Sequence, residues 1–204
     1  MINIRYEGDF FINHSLAIVN REICLELTKN PEINLSIKSN RENVLTEIEL
    51  SRFKPLMDIV DKKQEKVDFT IRHQWPPNFS IPEKGKLIIM QPWEFGSIPE
   101  SWLEPFITIP DQIWAISNFN KNVYIKDGIP QEKVKTVHLG VREDLYQNDI
   151  SPLNIKTNKK FKFLFNGGTI HRKGIDLLLK AYTQEFSTNE DVTLNIKDIG
   201  TKNI

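Results

Sequence analysis

Gly85-Lys86-Leu87-Ile88-Ile89-Met90-Gln91-Pro92-Trp93-Glu94-Phe95-Gly96 is the stretch on which the fold turns. Four consecutive apolar residues, Leu87 to Met90, show no polar alternation, so both faces of that strand must be covered. A strand of this kind belongs to a parallel sheet with helices on each side. The pattern recurs in both directions. Downstream, Ile113 to Ile116 reads as a strand with Ser117 at its end, and Asn118 to Lys126 as a helix stopping at Gly128. Upstream, Val67 to Arg72 reads as a strand that delivers Arg72, His73, Gln74 and Trp75 before Pro76-Pro77 imposes an extended turn.

Nearer the N-terminus, Ile2 to Tyr6 is extended, and Gly8 to Ser15 forms a glycine-containing loop. Leu16, Val19, Ile23 and Leu27 then fall at helical spacing, with Ser15 placed to cap the first turn and Asn30-Pro31 to end the last. Ile33 to Ile37 reads as a strand. Arg41 to Asp61 is charge-rich and helical in part, with Pro55 as an interruption, and Pro99 to Phe106 is a short helix with Pro99 in its first turn. Val134 to Leu139 is a further strand. Strands separated throughout by helices or loops predict an α/β fold with a doubly wound, Rossmann-like parallel sheet over residues 1–150.

Residues 142 to 160, rich in Asp, Asn, Ser, Pro and Lys, read as a boundary, with 151–160 as the linker proper. Phe161 to Phe165 opens a new strand, Lys173 to Phe186 is a helix, and Thr193 to Ile196 is another strand. Residues 161–204 are therefore expected to begin a second, incomplete Rossmann-like domain. Its sheet edge would favour self-association.

Composition narrows the function. Lys plus Arg and Asp plus Glu both number 27 in 204 residues, a formal net charge of zero, so no global positive field invites nucleic acid. No basic stretch is interleaved with aromatics either. Cys24 is the sole cysteine, which excludes an intrachain disulfide and reads as a buried thiol. The four histidines are dispersed and do not make a zinc site. No leader-like or membrane-spanning apolar run occurs, so the cytoplasm is the expected compartment, with peripheral membrane contact left open.

Ligands of open parallel sheets gather beyond the carboxyl ends of the strands, where most of the conspicuous polar residues fall. The strongest segment is Phe165-Asn166-Gly167-Gly168-Thr169-Ile170-His171-Arg172-Lys173-Gly174. Its glycines permit close approach of a ligand to the backbone. Two cations at a helix start oppose the macrodipole unless an anion is bound, and a diphosphate would remove that conflict. A solvated turn is the other reading of the same residues. Neither the Walker ending nor the Gly-x-Gly-x-x-Gly fingerprint is present.

Gly167-Gly168 through Arg172-Lys173-Gly174-Ile175-Asp176 to Ala181-Tyr182 resembles the opening of the C-terminal domain of GT-B glycosyltransferases of the retaining type-4 family. Val134 to Val141 and Trp114-Ala115-Ile116-Ser117 are similar to two further family segments in the same order. The resemblance implies transfer of a sugar from a nucleotide-sugar to a glycan, lipid or protein acceptor with retention of configuration, in glycan or polysaccharide biosynthesis. It implies no separate cofactor and no required metal. Lys173, with Arg172 as companion, matches the basic group on the donor diphosphate. Gly8 matches the glycine loop near the reacting sugar, and Gly167 and Gly168, with Ser117 matched to no exact family role, are the other expected donor-side contacts.

His73, Trp75, Trp93 and Glu94 are substrate-binding candidates at strand ends, matched to no exact family role. Trp75 either stacks on a sugar or packs its Pro-Pro loop, and Glu94 either meets acceptor hydroxyls or is solvated. His14 and His171 either bond phosphate or satisfy carbonyls, and His138 reads as structural. The family's downstream Glu-x7-Glu segment has no counterpart before Ile204, so the chain is expected to be a fragment, or a product without catalysis. A hydrolase or epimerase on the same fold, and a non-catalytic GT-B-like binding or structural protein, are the competing expectations.

Overall fold

The computed structural model describes residues 1–146 and 151–198, and the chain divides into two compact units, Met1–Val141 and Arg142–Ile204. In the first, β1 (Ile2–Gly8), β2 (Ile33–Ser39), β3 (Phe69–His73), β4 (Lys86–Met90), β5 (Gln112–Ala115) and β6 (Val134–Thr136) form one parallel sheet. Its order is β2-β1-β3-β4-β5-β6. The chain steps from β1 to one side and later resumes on the other, so the order reverses between β1 and β3. A crevice opens at such a point.

Five helices accompany this sheet: α1 (Ser15–Thr28), α2 (Glu47–Ser51), α3 (Lys54–Met57), α4 (Glu100–Thr108) and α5 (Asn118–Lys126). Alternation along each strand divides the apolar residues between two faces. Tyr6, Ile37, Ile71 and Ile88 pack with Cys24 of α1 and Leu56 of α3. Leu87, Ile89, Ile113 and Ala115 lie on the opposite face with Phe106 of α4 and Tyr124 of α5. The first unit is thus a Rossmann-like α/β sheet with helices on both faces. The apolar run of β4 exists because both of its faces are covered.

The second unit contains β7 (Phe161–Asn166), a 3-10 turn at His171–Lys173, α6 (Ile175–Glu185) and β8 (Val192–Lys197). β7 and β8 pair in parallel with each other as a two-stranded sheet. Phe163 packs edge-on to Tyr182, with ring centroids 6.0 Å apart, and Phe186 completes the cluster. Among the described residues, no helix is long and apolar enough to cross a membrane.

Several local expectations are corrected. His14, not Ser15, caps α1: its backbone is extended and Nδ1 accepts from Leu16 N at 3.2 Å. α1 forms where the apolar spacing predicts it, with Ile23 and Leu27 packed against the core, but its fully buried positions are Ala17, Asn20, Arg21 and Cys24. Across 41–61 the helix is broken as expected, α2 ending at Ser51 and α3 starting at Lys54, but Pro55 lies in the first turn of α3, where its missing N–H costs nothing. Pro99 is the cap of α4 rather than a residue of its first turn. β6 stops at Thr136, leaving His138 exposed beyond it instead of within a strand. The last helix begins at Ile175, because Gly174 adopts a left-handed conformation (φ 71°) that separates it from the 3-10 turn holding Lys173. The expected boundary region contains a short 3-10 turn, Glu143–Tyr146. Residues 147–150 and 199–204, which fall at the ends of the two expected domains, lie outside the described residues.

Candidate functional site

β1 and β3 end side by side, with Gly8 opposite His73. A β-carbon on Gly8 would stand 2.4 Å from the His73 carbonyl oxygen and 2.6 Å from Asn20 Nδ2, so no larger residue fits without displacement. The loop that follows is held by two consecutive side chains of α1. Asn20 Nδ2 donates to Asp9 O at 2.8 Å and to His73 O at 3.0 Å. Arg21 Nη1 donates to the carbonyls of Phe10 and Ile12, and its guanidinium lies over the Phe53 ring.

These bonds define the state of His73, which is 1% exposed. Both amide hydrogens of Asn20 are committed to carbonyls, so its Oδ1, 2.6 Å from His73 Nδ1, acts as an acceptor. Nδ1 therefore carries the imidazole proton. Nε2 keeps a lone pair and has no hydrogen-bond partner among the described residues. Burial, with a lesser effect of nearby His14, lowers the pKa of His73 from 6.5 to about 4. At neutral pH the strand end thus carries a neutral imidazole whose orientation Asn20 fixes and whose protonation burial disfavours.

The segment after β2 crosses the same end of the sheet. Asn40 N donates to Gly8 O at 2.9 Å, and its side chain donates to Gln74 Oε1 at 2.7 Å. Arg41 pairs with buried Asp9 at 3.5 Å. At the end of β4, buried Gln91 accepts the Tyr124 hydroxyl on its backbone carbonyl at 2.6 Å, while its side-chain Oε1 has no partner among the described residues.

Beyond His73 the chain enters an aromatic cluster. Trp75 stacks on Trp93 with centroids 6.1 Å apart and planes 13° from parallel, and both meet Trp102 edge-on. Trp93 also contacts Phe95. Trp75 is 52% exposed, which leaves aromatic surface open to solvent. The loop is pinned: Trp93 Nε1 donates to Ser97 O at 2.8 Å, and Asp127 accepts from Ser97 Oγ and Ile98 N. Glu94 is exposed on this loop. Ser117 caps α5, its Oγ accepting from Asn120 N at 3.1 Å.

In the second unit the Gly167-Gly168-Thr169 loop is closed onto β8. Gly167 N donates to Lys197 O at 3.0 Å, and Thr169 donates through N and Oγ1 to the two carboxylate oxygens of Asp198. Arg172 and Lys173 are exposed on the 3-10 turn. The amides of Lys173 and Gly174 already donate to Ile170 O and His171 O. The open amides of α6 therefore begin at Ile175, where Asp176 is paired with His171 at 3.2 Å.

The structure thus brings Gly8 to His73 and Trp75 to Trp93, and it uses the Ser117 hydroxyl as a helix cap. Asn20, Asp9, Asn40, Gln91 and Trp102 were not singled out from sequence. Asn20 and Arg21 had one legible signal: polar side chains three and four positions after Ala17 on a helix, in register with Cys24. Among the described residues, no group of three or more His, Cys, Asp or Glu is arranged to hold a metal ion. Comparison with known protein families and with curated proteins finds no match for this chain.

Proposed function

We propose that the protein takes part in retaining glycosyl transfer from a nucleotide-sugar to a glycan, lipid or protein acceptor. The first unit would hold the acceptor at the carboxyl edge of its sheet, and the glycine loop with Arg172 and Lys173 would receive the donor diphosphate. The observation that carries this reading is the half-exposed Trp75–Trp93 stack two residues beyond His73. An aromatic face beside oriented polar groups suits a sugar ring, whose C–H bonds rest on the indole while its hydroxyls meet hydrogen-bonding partners. In transfer, the bond from the sugar C1 to the diphosphate oxygen breaks, an acceptor oxygen bonds to C1, and the acceptor proton passes to the leaving diphosphate. Lys173 and Arg172 would stabilise charge on the leaving diphosphate.

One observation favours a binding protein without turnover. Asp176 already places a carboxylate in the positive first turn of α6, which competes with an incoming phosphate. Titration of the full chain with nucleotide-sugars and with neutral oligosaccharides, followed by saturation-transfer NMR and by nucleoside diphosphate release, separates the readings. Binding of both classes with diphosphate release supports transfer. Saccharide binding alone leaves the non-catalytic reading, and binding of neither class overturns both.

A further inference from the structure

On the sheet face opposite α1, the strands change character. β4 and β5 present Leu87, Ile89, Ile113 and Ala115 to α4 and α5, whereas β1, β2 and β3 carry Arg5, Glu7, Lys38, Thr70 and Arg72 on that face. Such side chains cannot be sealed beneath an apolar layer without large desolvation cost. They line a cavity of about 540 Å3, walled also by the segments around Lys63 and Lys84.

Arg72 is built into its floor and is 4% exposed. Its Nε donates to Glu7 Oε2 at 2.8 Å and its Nη1 to the carbonyls of Asn78 and Ser80. The other oxygen of Glu7 accepts from Arg5 Nε at 3.0 Å. One carboxylate therefore orients two guanidiniums and neutralises only one of them. Lys84 donates to the neutral carbonyls of Gln64 and Glu65, so its charge is positioned but not cancelled. Lys38 and Lys63 have no ion-pair partner among the described residues. The lining thus holds Arg5, Lys38, Lys63, Arg72 and Lys84 against two carboxylates, Glu7 and Glu83.

We propose that this cavity binds a small organic phosphate, an ester whose phosphoryl group meets the cations and whose hydroxyls meet the amides of Asn40, Gln64 and Asn78. The excess positive charge selects the anion, and the fixed guanidiniums provide directed donors to phosphate oxygens. The volume falls within the range that encloses a small ligand. This site lies on the face of the sheet and meets the strand-end region at Asn40; it does not depend on the glycosyl-transfer reading.

The test is calorimetric titration of glucose 6-phosphate into the full chain carrying Arg172→Ala and Lys173→Ala, which removes the two cations after the glycine loop as a competing phosphate site. Saturable binding is expected, with glucose itself failing to bind and inorganic phosphate binding more weakly. Adding Lys38→Ala and Lys63→Ala, both exposed, should weaken binding about tenfold or more, whereas the exposed pair Lys54→Ala and Lys135→Ala should change it by less than about twofold. Absence of saturable binding, or equal effects of the two lysine pairs, overturns the site. Inorganic phosphate binding as tightly as the ester overturns the assignment to an ester.

Discussion

Gly8 and His73 are register partners at the ends of β1 and β3, and the space that a β-carbon on Gly8 would need is occupied by the His73 carbonyl and the Asn20 amide. Three segments distant in sequence therefore meet with no room for a methyl group. The junction of strands at the reversal of their order is built on that approach.

Gly8→Ala is accordingly expected to destabilise the chain by about 1–3 kcal/mol, because backbone or Asn20 must move to admit the methyl group. Gly96→Ala is the control, since a β-carbon there meets nothing within 4 Å. Urea unfolding of both variants should show the midpoint falling for the first and staying near wild type for the second.

Asn20→Ala removes the donor to Asp9 O and His73 O and the acceptor of His73 Nδ1 together. Each is buried, so the loss should reach about 2–4 kcal/mol. Hydrogen exchange should reveal it as earlier opening of the loop after β1 than of β4. Equal protection in variant and wild type would assign the loop's order to Arg21 alone.

The buried imidazole makes stability depend on pH. His73 is harder to protonate folded than unfolded, its pKa being lowered from 6.5 to about 4. Between those values the unfolded chain binds more protons, so His73 contributes stability that is present above pH 6.5 and lost as pH falls through the window, on the order of 3 kcal/mol in all. The slope of unfolding free energy against pH should be shallower for His73→Gln than for wild type in that range. Parallel curves would refute it.

Trp75→Ala should weaken binding of an oligosaccharide about tenfold while lowering stability little, because half of the side chain is already in solvent. Trp102→Ala, which removes the contact to buried Phe106, should instead lower the melting temperature. Intrinsic fluorescence titration and thermal unfolding of the two variants distinguish platform from support.

Lys173→Ala should weaken binding of a nucleoside diphosphate about tenfold with no change in melting temperature, since the residue is exposed. An unchanged dissociation constant would return this turn to the solvent-facing reading.

The architecture of the first unit was legible because its causes are local or pairwise. Leu87 to Met90 is unbroken and apolar because two helical layers cover it. Ser117 stands at a strand end with a helix after it, and Gly128 where that helix stops. Periodicity failed where burial and polarity part company: α1 buries Asn20 and Arg21, which no apolar pattern marks, because their amide and guanidinium satisfy the carbonyls of a loop that only folding brings near. The start of α2, by contrast, had a local signal in the same charge-rich stretch, the Thr46-x-x-Glu49 capping box.

The residues beyond strand ends were visible in sequence, as His73, Trp75 and Trp93 were, but their partnerships were not. A hydrogen bond fixed by residues 53 positions apart, or a stack between Trp75 and Trp93, depends on the order and register of parallel strands, which sequence spacing does not encode. The polar face of β1 to β3 shows the same division. Sequence supplied Arg5, Glu7 and Arg72 as scattered charges, and only the pairing of β1 with β3 set them side by side over one cavity, where a single carboxylate between two guanidiniums leaves net positive charge.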